Sequence, residues 1–253
     1  MGRNINFFIF NGRDSRDFGL WVTAGGLGTF DGAAADTTSN AVAGRDGDVL
    51  VSNNRRGNLS IPYQVFLNLP PGLTLAQATD DIRNWLQEDD QYHRLEDSYH
   101  PGFYREAAYL ETFSFSDTAL KGGTATITFS CKPNLRFEDI PVTGTGMVKL
   151  INPTRLRAKP LIRLNAVSGV VSLLFQSDAD GSKTYTFGEE GKSYQDVVID
   201  CESMRIYEDG IVPNNLFLVC KFPLEFPSLP PGVCTLTVSG NPEISVIPRW
   251  ISR

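Results

Sequence analysis

The stretch FPLEFPSLPPGVCTLTVSGNPEISVIPRW, residues Phe222–Trp250, contains the clearest signal for a β fold. Its four prolines between residues 223 and 231 exclude a helix, because each fixes its own φ angle and removes a backbone donor. From Val233 to Val238 apolar and polar residues alternate, which predicts a strand with one buried face. After a turn at Ser239–Pro242, Ile244 and Val246 predict a returning strand. The chain therefore closes with two ordered strands.

Length and composition set broad limits on the molecule. Its 253 residues, 41% of them hydrophobic, suffice for one large β domain or two ordinary ones. There is no apolar run of about 18 residues and no signal peptide. We therefore expect that the protein is made in the cytoplasm and does not insert into a membrane. The net charge of -6 argues against nucleic-acid specificity. The irregular spacing of four cysteines predicts reduced core thiols.

One convincing helix is predicted, and it begins at Thr74. Thr74 and Gln77 have the spacing of a capping box, which satisfies two backbone N–H groups. Leu75, Ala78 and Trp85 lie on the apolar stripe that follows at intervals of three and four residues. The helix opens a strongly acidic segment, which is interpreted as a solvated face and loop. Beyond it, a tyrosine-rich stretch is predicted to return to a strand at residues 110–115.

The first part of the chain predicts a projecting hairpin. Strands at residues 6–10 and 18–23 precede a Gly-, Ala- and Thr-rich segment, 24–40, which is predicted to be a long loop or arm. The tight turn AGRDGD at 43–48 and a polar tip at 53–57 flank a strand at 49–52, and a long strand follows at 59–69. Two strands around exposed basic tips predict the hairpin.

A domain seam is predicted between Pro133 and Pro160. Before it, residues 124–131 alternate strictly and have the β-branched content of a half-buried strand. After it, short strands recur at the spacing typical of a sandwich, near residues 161–167, 170–176, 184–187, 195–200, 205–207 and 216–221. The sequence thus predicts a mainly β protein with one helix, divided into domains 1–140 and 141–253.

Several segments resemble the distal tail protein (Dit) family of long-tailed, non-contractile bacteriophages. The opening FFIFNGRDSRDFGLWV, the segments GTATITFSCKP and INPTRLRAKPLIRL, the segment VIDCESMRIYEDG and the closing stretch carry the resemblance. It implies an N-terminal β-rich ring domain and a C-terminal galectin-like β-sandwich. It also implies a structural protein of the virion tail tip, assembled in the bacterial host cytoplasm as a homohexameric ring. Its partners would be the tail tube protein, a tail-associated tip protein and a receptor-binding protein.

The resemblance directs attention to two charged groups. The family places a Gly-Arg-Asp-Gly turn and a hairpin where this chain has its basic tips, so the ring interface is predicted to include Arg45, Asp46, Arg55 and Arg56. A partner-docking face is predicted on a strand that would present three basic residues, Arg155, Arg157 and Lys159. Basic residues along an exposed edge also block unwanted strand pairing, and that alternative stays open.

No enzyme, cofactor or metal site is predicted. The two histidines, His93 and His100, lack the spacing of a metal-binding helix, and no G-x-S-x-G motif is present. Asp178 and Asp180 are interpreted as part of a hairpin turn rather than a calcium loop. After Pro141 the chain has no histidine and its only tryptophan is Trp250, so the sugar site of galectins is predicted to be absent. The alternative function is nevertheless a carbohydrate-binding module for host cell-wall recognition, with Tyr185, Tyr194 and Tyr207 as platforms for sugar rings.

Overall fold

The computed structural model describes residues 5–23, 32–117, 122–209, 216–222 and 225–253. The chain divides into two compact units, Met1–Leu135 with Arg253, and Arg136–Ser252. The assignment of domains 1–140 and 141–253 stays a prediction, because compactness alone does not show that each part folds independently. The mainly β fold class with a single α-helix in the described residues is confirmed.

The first unit is built from one α-helix and the strands up to Leu135. The helix is α1 (Leu75–Leu86). The strands are β1 (Phe8–Phe10), β2 (Arg13–Asp14), β3 (Leu20–Val22), β4 (Ala35–Asn40), β5 (Val49–Arg56), β6 (Leu59–Asn68), β7 (His93–Asp97), β8 (Phe103–Ala108), β9 (Ser116–Asp117), β10 (Gly122–Cys131) and β11 (Leu135–Phe137), which ends just past the unit boundary.

The main sheet of this unit has the order β2-β1-β7-β8-β10-β6-β3. Its centre is the antiparallel ladder of β10 and β6, which pairs Gly122 with Asn68 and continues to Cys131 opposite Leu59. Ile127, Phe129 and Cys131 are buried, which confirms the predicted alternation. One face of the sheet therefore forms the core.

Helix α1 covers this core through an aromatic cluster. Trp85 stacks on Phe18 with ring centroids 4.3 Å apart and lies 5.8 Å from Phe8. Its indole N–H donates to the carbonyl of Phe10 at 3.1 Å. The capping box of Thr74 and Gln77 is present, so the predicted helix start is confirmed.

The hairpin differs from the predicted one in its strands. Strand β5 pairs with β4, Asn40 facing Val49, and these two strands form a separate sheet. Of the two predicted forms of residues 24–40, a loop or an arm, the loop is wrong at residues 35–40, which form the largely exposed strand β4. Residues 24–31 lie outside the described part. The polar tip predicted at 53–57 is also wrong, because β5 continues to Arg56, which pairs with Ala35 at the open end of the hairpin.

The second unit is a β-sandwich. Its strands are β12 (Val142–Thr145), β13 (Met147–Asn152), β14 (Leu161–Asn165), β15 (Val167–Ser168), β16 (Val171–Ser177), β17 (Gly181–Phe187), β18 (Ser193–Tyr194), β19 (Val197–Asp200), β20 (Arg205–Glu208), β21 (Gly232–Val238), β22 (Glu243–Ile247) and β23 (Ile251–Ser252). Two sheets, β12-β22-β14-β19-β20 and β13-β21-β16-β17, enclose one apolar core.

The closing strands belong to opposite sheets. The predicted alternation is confirmed, since Cys234, Leu236 and Val238 of β21 and Ile244 and Val246 of β22 are buried. These strands do not pair with each other, because β21 lies in the four-stranded sheet and β22 in the five-stranded one. The turn between them is therefore a corner of the sandwich.

A second corner lies beside the first. Gly146 separates β12 from β13, which also belong to different sheets. Its N–H donates to the carbonyl of Pro242 and its own carbonyl accepts from the N–H of Val238, both at 2.8 Å. These bonds join the two corners at the point where the chain crosses twice between the sheets.

Three local predictions were wrong. Residues 110–115 form no strand, and Leu216–Val219 forms a 3-10 helix instead of part of a strand. Arg155 and Arg157 lie in an irregular segment in which only Ala158 makes an isolated bridge, to Leu229. Strands β12 and β13 were not predicted, because the proline- and glycine-rich composition between 133 and 160 indicated a domain seam.

Candidate interaction surfaces

The β4–β5 hairpin is exposed on both faces. Successive residues of a strand point to opposite faces, so Leu50 and Val51 lie on different sides of it. Leu50 is 70% exposed and Val51 49% exposed, and Val42 in the connecting loop is exposed as well. Within the described residues no third strand pairs with the hairpin. Neither face rests on a core, and a two-stranded hairpin is marginal in water without such support.

The four predicted ring-interface residues occupy both ends of this hairpin. Arg45 and Asp46 lie in the exposed loop between the strands, and their side chains bind no other described residue. Arg55 forms a 3.2 Å ion pair with Asp36 of β4. The guanidinium of Arg56 donates to the carbonyl of Ala33. The structure therefore separates the four residues into a free pair at the loop and a pair with intrachain partners.

One of the three residues of the predicted docking face forms an ion pair within the chain. Arg155, Arg157 and Lys159 are exposed. Arg157 forms a two-pronged ion pair with Asp180 in the turn between β16 and β17, with one N···O distance of 2.6 Å. The hydrogen bond from Arg157 lowers the pKa of Asp180 below its usual value, and the same bond raises the pKa of Arg157. The turn interpretation of Asp178–Asp180 is confirmed.

The tyrosines suggested as sugar platforms occupy other environments. Tyr185 is 4% exposed and Tyr194 is 5% exposed, and both belong to the core of the sandwich. Tyr207 is partly exposed on β20, next to Val198 of β19. Two of the three suggested platforms are therefore wrong, because a buried ring cannot stack on a ligand.

The histidines have structural partners. His93 Nε2 lies 2.7 Å from Asp89 Oδ1, and this hydrogen bond lowers the pKa of Asp89. His100 Nδ1 lies 3.1 Å from Asp97 Oδ1, while the other oxygen of Asp97 accepts from Tyr63 at 2.7 Å. In the described parts of the chain, no group of three or more His, Cys, Asp and Glu side chains is placed to hold a metal ion.

The four cysteines are free thiols, and three of them are buried. Burial raises the pKa of Cys131 to about 12 and raises the pKa of Cys201 further. A thiol needs a lowered pKa to act as a nucleophile, so these side chains have the properties of core residues. None of the helices in the described ranges has the length and apolar character needed to cross a membrane.

Sequence reasoning missed two groups of surface residues. The exposed Leu50 and Val51 were assigned to an ordinary strand, although the polar run that follows them is a sign of a strand without a buried face. The second group is the polar face of β14 and β22, which includes Arg163, Asn165 and Glu243. These residues alternate with core residues in the sequence, and this alternation was the available signal. That signal identifies the face but not the concave cleft that the residues line.

The helix-covered sheet and the two-sheet sandwich together give a mainly β architecture that can be compared with known proteins. No protein-family model matches the sequence. No curated protein matches it either. Among solved structures, the crystal structure of the Dit protein of phage SPP1 matches with a TM-score of 0.73, over 96% of this chain and 98% of that chain, at 14% sequence identity. That protein is described as a paradigm of the hub adsorption apparatus in phages that infect Gram-positive bacteria. The present chain has a Dit-like fold.

Proposed function

We propose that this chain is a structural hub protein of a phage tail tip, located in the virion. Six copies form a ring through their first units, joining the tail tube to a tail-associated tip protein and to the adsorption apparatus. The observation that carries the proposal is the hairpin β4–β5, exposed on both faces, within a Dit-like fold that extends over nearly the whole chain. A ring of identical subunits supplies the missing cover, because each hairpin packs on the next copy.

The charges of the hairpin favour a second copy of the chain as the occupant. Arg45 and Asp46 are adjacent, carry opposite charges and have no partner among the described residues. In a head-to-tail contact, such a pair meets its complement on the neighbouring subunit. Apolar Leu50 and Val51 provide the area whose burial stabilises the contact. Arg55 and Arg56 hold the open end of the hairpin in shape.

The remaining partners follow from the same proposal. The tube protein and the tip protein contact the two sides of the ring, and a receptor-binding protein docks on the second unit near Arg155 and Lys159. These two residues, unlike Arg157, are without a side-chain partner among the described residues. We assign the chain no catalytic role, because its described histidines and cysteines are engaged or buried.

The test is the oligomeric state of the full-length chain and of two matched variants. Light scattering coupled to size-exclusion chromatography gives the mass, and negative-stain imaging gives the symmetry. The variant Leu50→Asp/Val51→Asp places charges on both faces of the hairpin. The control Val170→Asp makes the same kind of change at an exposed apolar residue of the second unit.

We expect six-fold rings for the wild type and for Val170→Asp, and monomers for the hairpin variant. Rings that persist in the hairpin variant would exclude the hairpin as the subunit contact. A wild-type chain that stays monomeric at every concentration, alone and with its tube protein, would contradict the ring itself.

A further inference from the structure

The outer face of the five-stranded sheet has a cleft of about 410 Å3, within the range of small-ligand sites. It lies over β12, β22 and β14. The side chains that line it alternate with core residues such as Leu164 and Ile244, so they stand on the opposite face from the core. Its polar lining consists of Thr143, Thr145, Arg163, Asn165, Asp196, Glu243 and Ser245.

The strand register arranges these side chains in two parallel rows. Thr143 faces Ser245, which in turn faces Arg163. In the neighbouring row, Thr145 faces Glu243, which faces Asn165. Strands are spaced by about 4.8 Å and alternate residues by about 7 Å, so the six groups cover about 10 Å by 7 Å. That area matches one or two sugar rings.

Much of the hydrogen-bonding capacity in the cleft is unused within the chain. The hydroxyls of Thr143, Thr145 and Ser245 bind no other described residue. The amide of Asn165 donates to Glu243 over a long 3.4 Å. Arg163 donates to Asp209 at 2.5 Å, with both side chains half exposed, and an exposed ion pair of this kind is weak. The cleft therefore offers a ligand both hydrogen-bond donors and hydrogen-bond acceptors, side by side.

We propose that this cleft binds a neutral saccharide. A sugar hydroxyl both donates and accepts, and it matches a lining of hydroxyls, one amide, one guanidinium and one carboxylate. Asp196, Asp209 and Glu243 outnumber Arg163, so the local charge disfavours an anionic glycan. Tyr207 continues the row of Arg163 beyond Val198, outside the residues that line the cleft, and it is partly exposed. An aromatic ring at this place can extend the contact with a longer saccharide.

The proposal does not rest on the ring, since every residue of the cleft belongs to the second unit. The test uses the full-length chain and saturation-transfer NMR with soluble probes. The neutral probes are maltohexaose, cellohexaose and triacetylchitotriose; the anionic probes are a heparin hexasaccharide and poly(glycerol phosphate). The cleft variant is Asn165→Ala/Glu243→Gln. The control is Thr237→Ala, which removes a hydroxyl from the outer face of the other sheet.

We expect at least one neutral probe to bind, with affinity reduced at least about tenfold in the cleft variant and unchanged in the control. Thermal unfolding of the variants establishes that both are folded. The proposal is overturned if no neutral probe binds at about 10 mM, roughly tenfold above a Kd of about 1 mM. It is equally overturned by binding that the cleft variant retains, or by binding of the anionic probes alone.

Discussion

Gly146 holds the point at which the chain crosses between the two sheets of the sandwich. Its φ of +66° lies in the left-handed region, and a Cβ there would meet the side-chain oxygen of Asn241 at 2.4 Å and the Cα of Asn241 at 3.2 Å. The substitution Gly146→Ala therefore adds a steric conflict to the backbone strain. We expect a loss of about 2–4 kcal/mol in the free energy of unfolding, measured by urea titration.

A matched control separates the two contributions to that loss. Gly169 has a nearly equal φ of +68°, but a Cβ there would meet nothing within 4 Å. The substitution Gly169→Ala should therefore cost only the backbone strain, about 1–2 kcal/mol. Equal losses in the two variants would show that the corner at Asn241 relaxes freely, contrary to its close packing on Gly146.

Asp180 links the stability of the sandwich to pH. Its pKa is lowered in the folded protein by the hydrogen bond from Arg157, so the ionised form is stabilised by folding. This stability is fully present above the unfolded pKa of about 3.9 and is lost as pH falls through the lower folded value. We expect Asp180→Asn to cost about 1 kcal/mol at pH 7, with the gap to the wild type closing below about pH 4.

Urea unfolding of both proteins between pH 7 and pH 3 checks this expectation. Asp178→Asn is the control, because Asp178 lies in the same turn and its side chain has no partner among the described residues. If the difference in free energy of unfolding between wild type and Asp180→Asn is constant across this pH range, the loss comes from the turn conformation and not from the ion pair.

At the scale of elements, α1 depends on its first turn. The hydroxyl of Thr74 accepts from the N–H of Gln77 at 3.3 Å, and the N–H of Thr74 donates to the side chain of Gln77 at 3.0 Å. We expect Thr74→Ala to lower the free energy of unfolding by about 1 kcal/mol, while Thr74→Ser, which keeps a hydroxyl, stays near the wild type. Helical circular dichroism during urea unfolding distinguishes the two, and equal losses would contradict a capping role.

The elements that the sequence predicts are those whose signal is local. The start and stripe of α1 and the alternation of β10 and β21 depend on residues a few positions apart, so they are visible without tertiary structure. The pairing of strands is different. A turn such as Ser239–Pro242 permits both a hairpin and a corner, and only long-range packing places β21 and β22 in opposite sheets.

Strand β4 was missed for a related reason. Its sequence ADTTSN is polar on both faces, because neither face contacts a core, and a strand without a buried face has no alternation to detect. For the candidate surfaces, the sequence located the exposed loop of Arg45 and Asp46. It could not assign Arg157 to Asp180, since that ion pair joins residues 23 positions apart through the fold.

At the scale of the whole molecule, each unit has an apolar core of its own. Phe8, Trp85 and Phe129 belong to the first core, and Leu173 and Leu236 belong to the second. The exposed hairpin is part of the first unit and the polar cleft is part of the second. The features that support assembly and ligand binding are thus separated along the chain, so the two proposals can be tested independently.

This separation predicts that residues 136–253 fold alone. The expected product is a monomer with a cooperative urea transition, because its two sheets enclose a complete core. It should keep the saccharide affinity of the full chain and form no ring, as it lacks the hairpin. Circular dichroism, light scattering and the NMR titration measure these properties. An insoluble or unfolded product would show that the first unit is needed to stabilise the sandwich, and a ring formed by this segment would move the subunit contact away from β4 and β5.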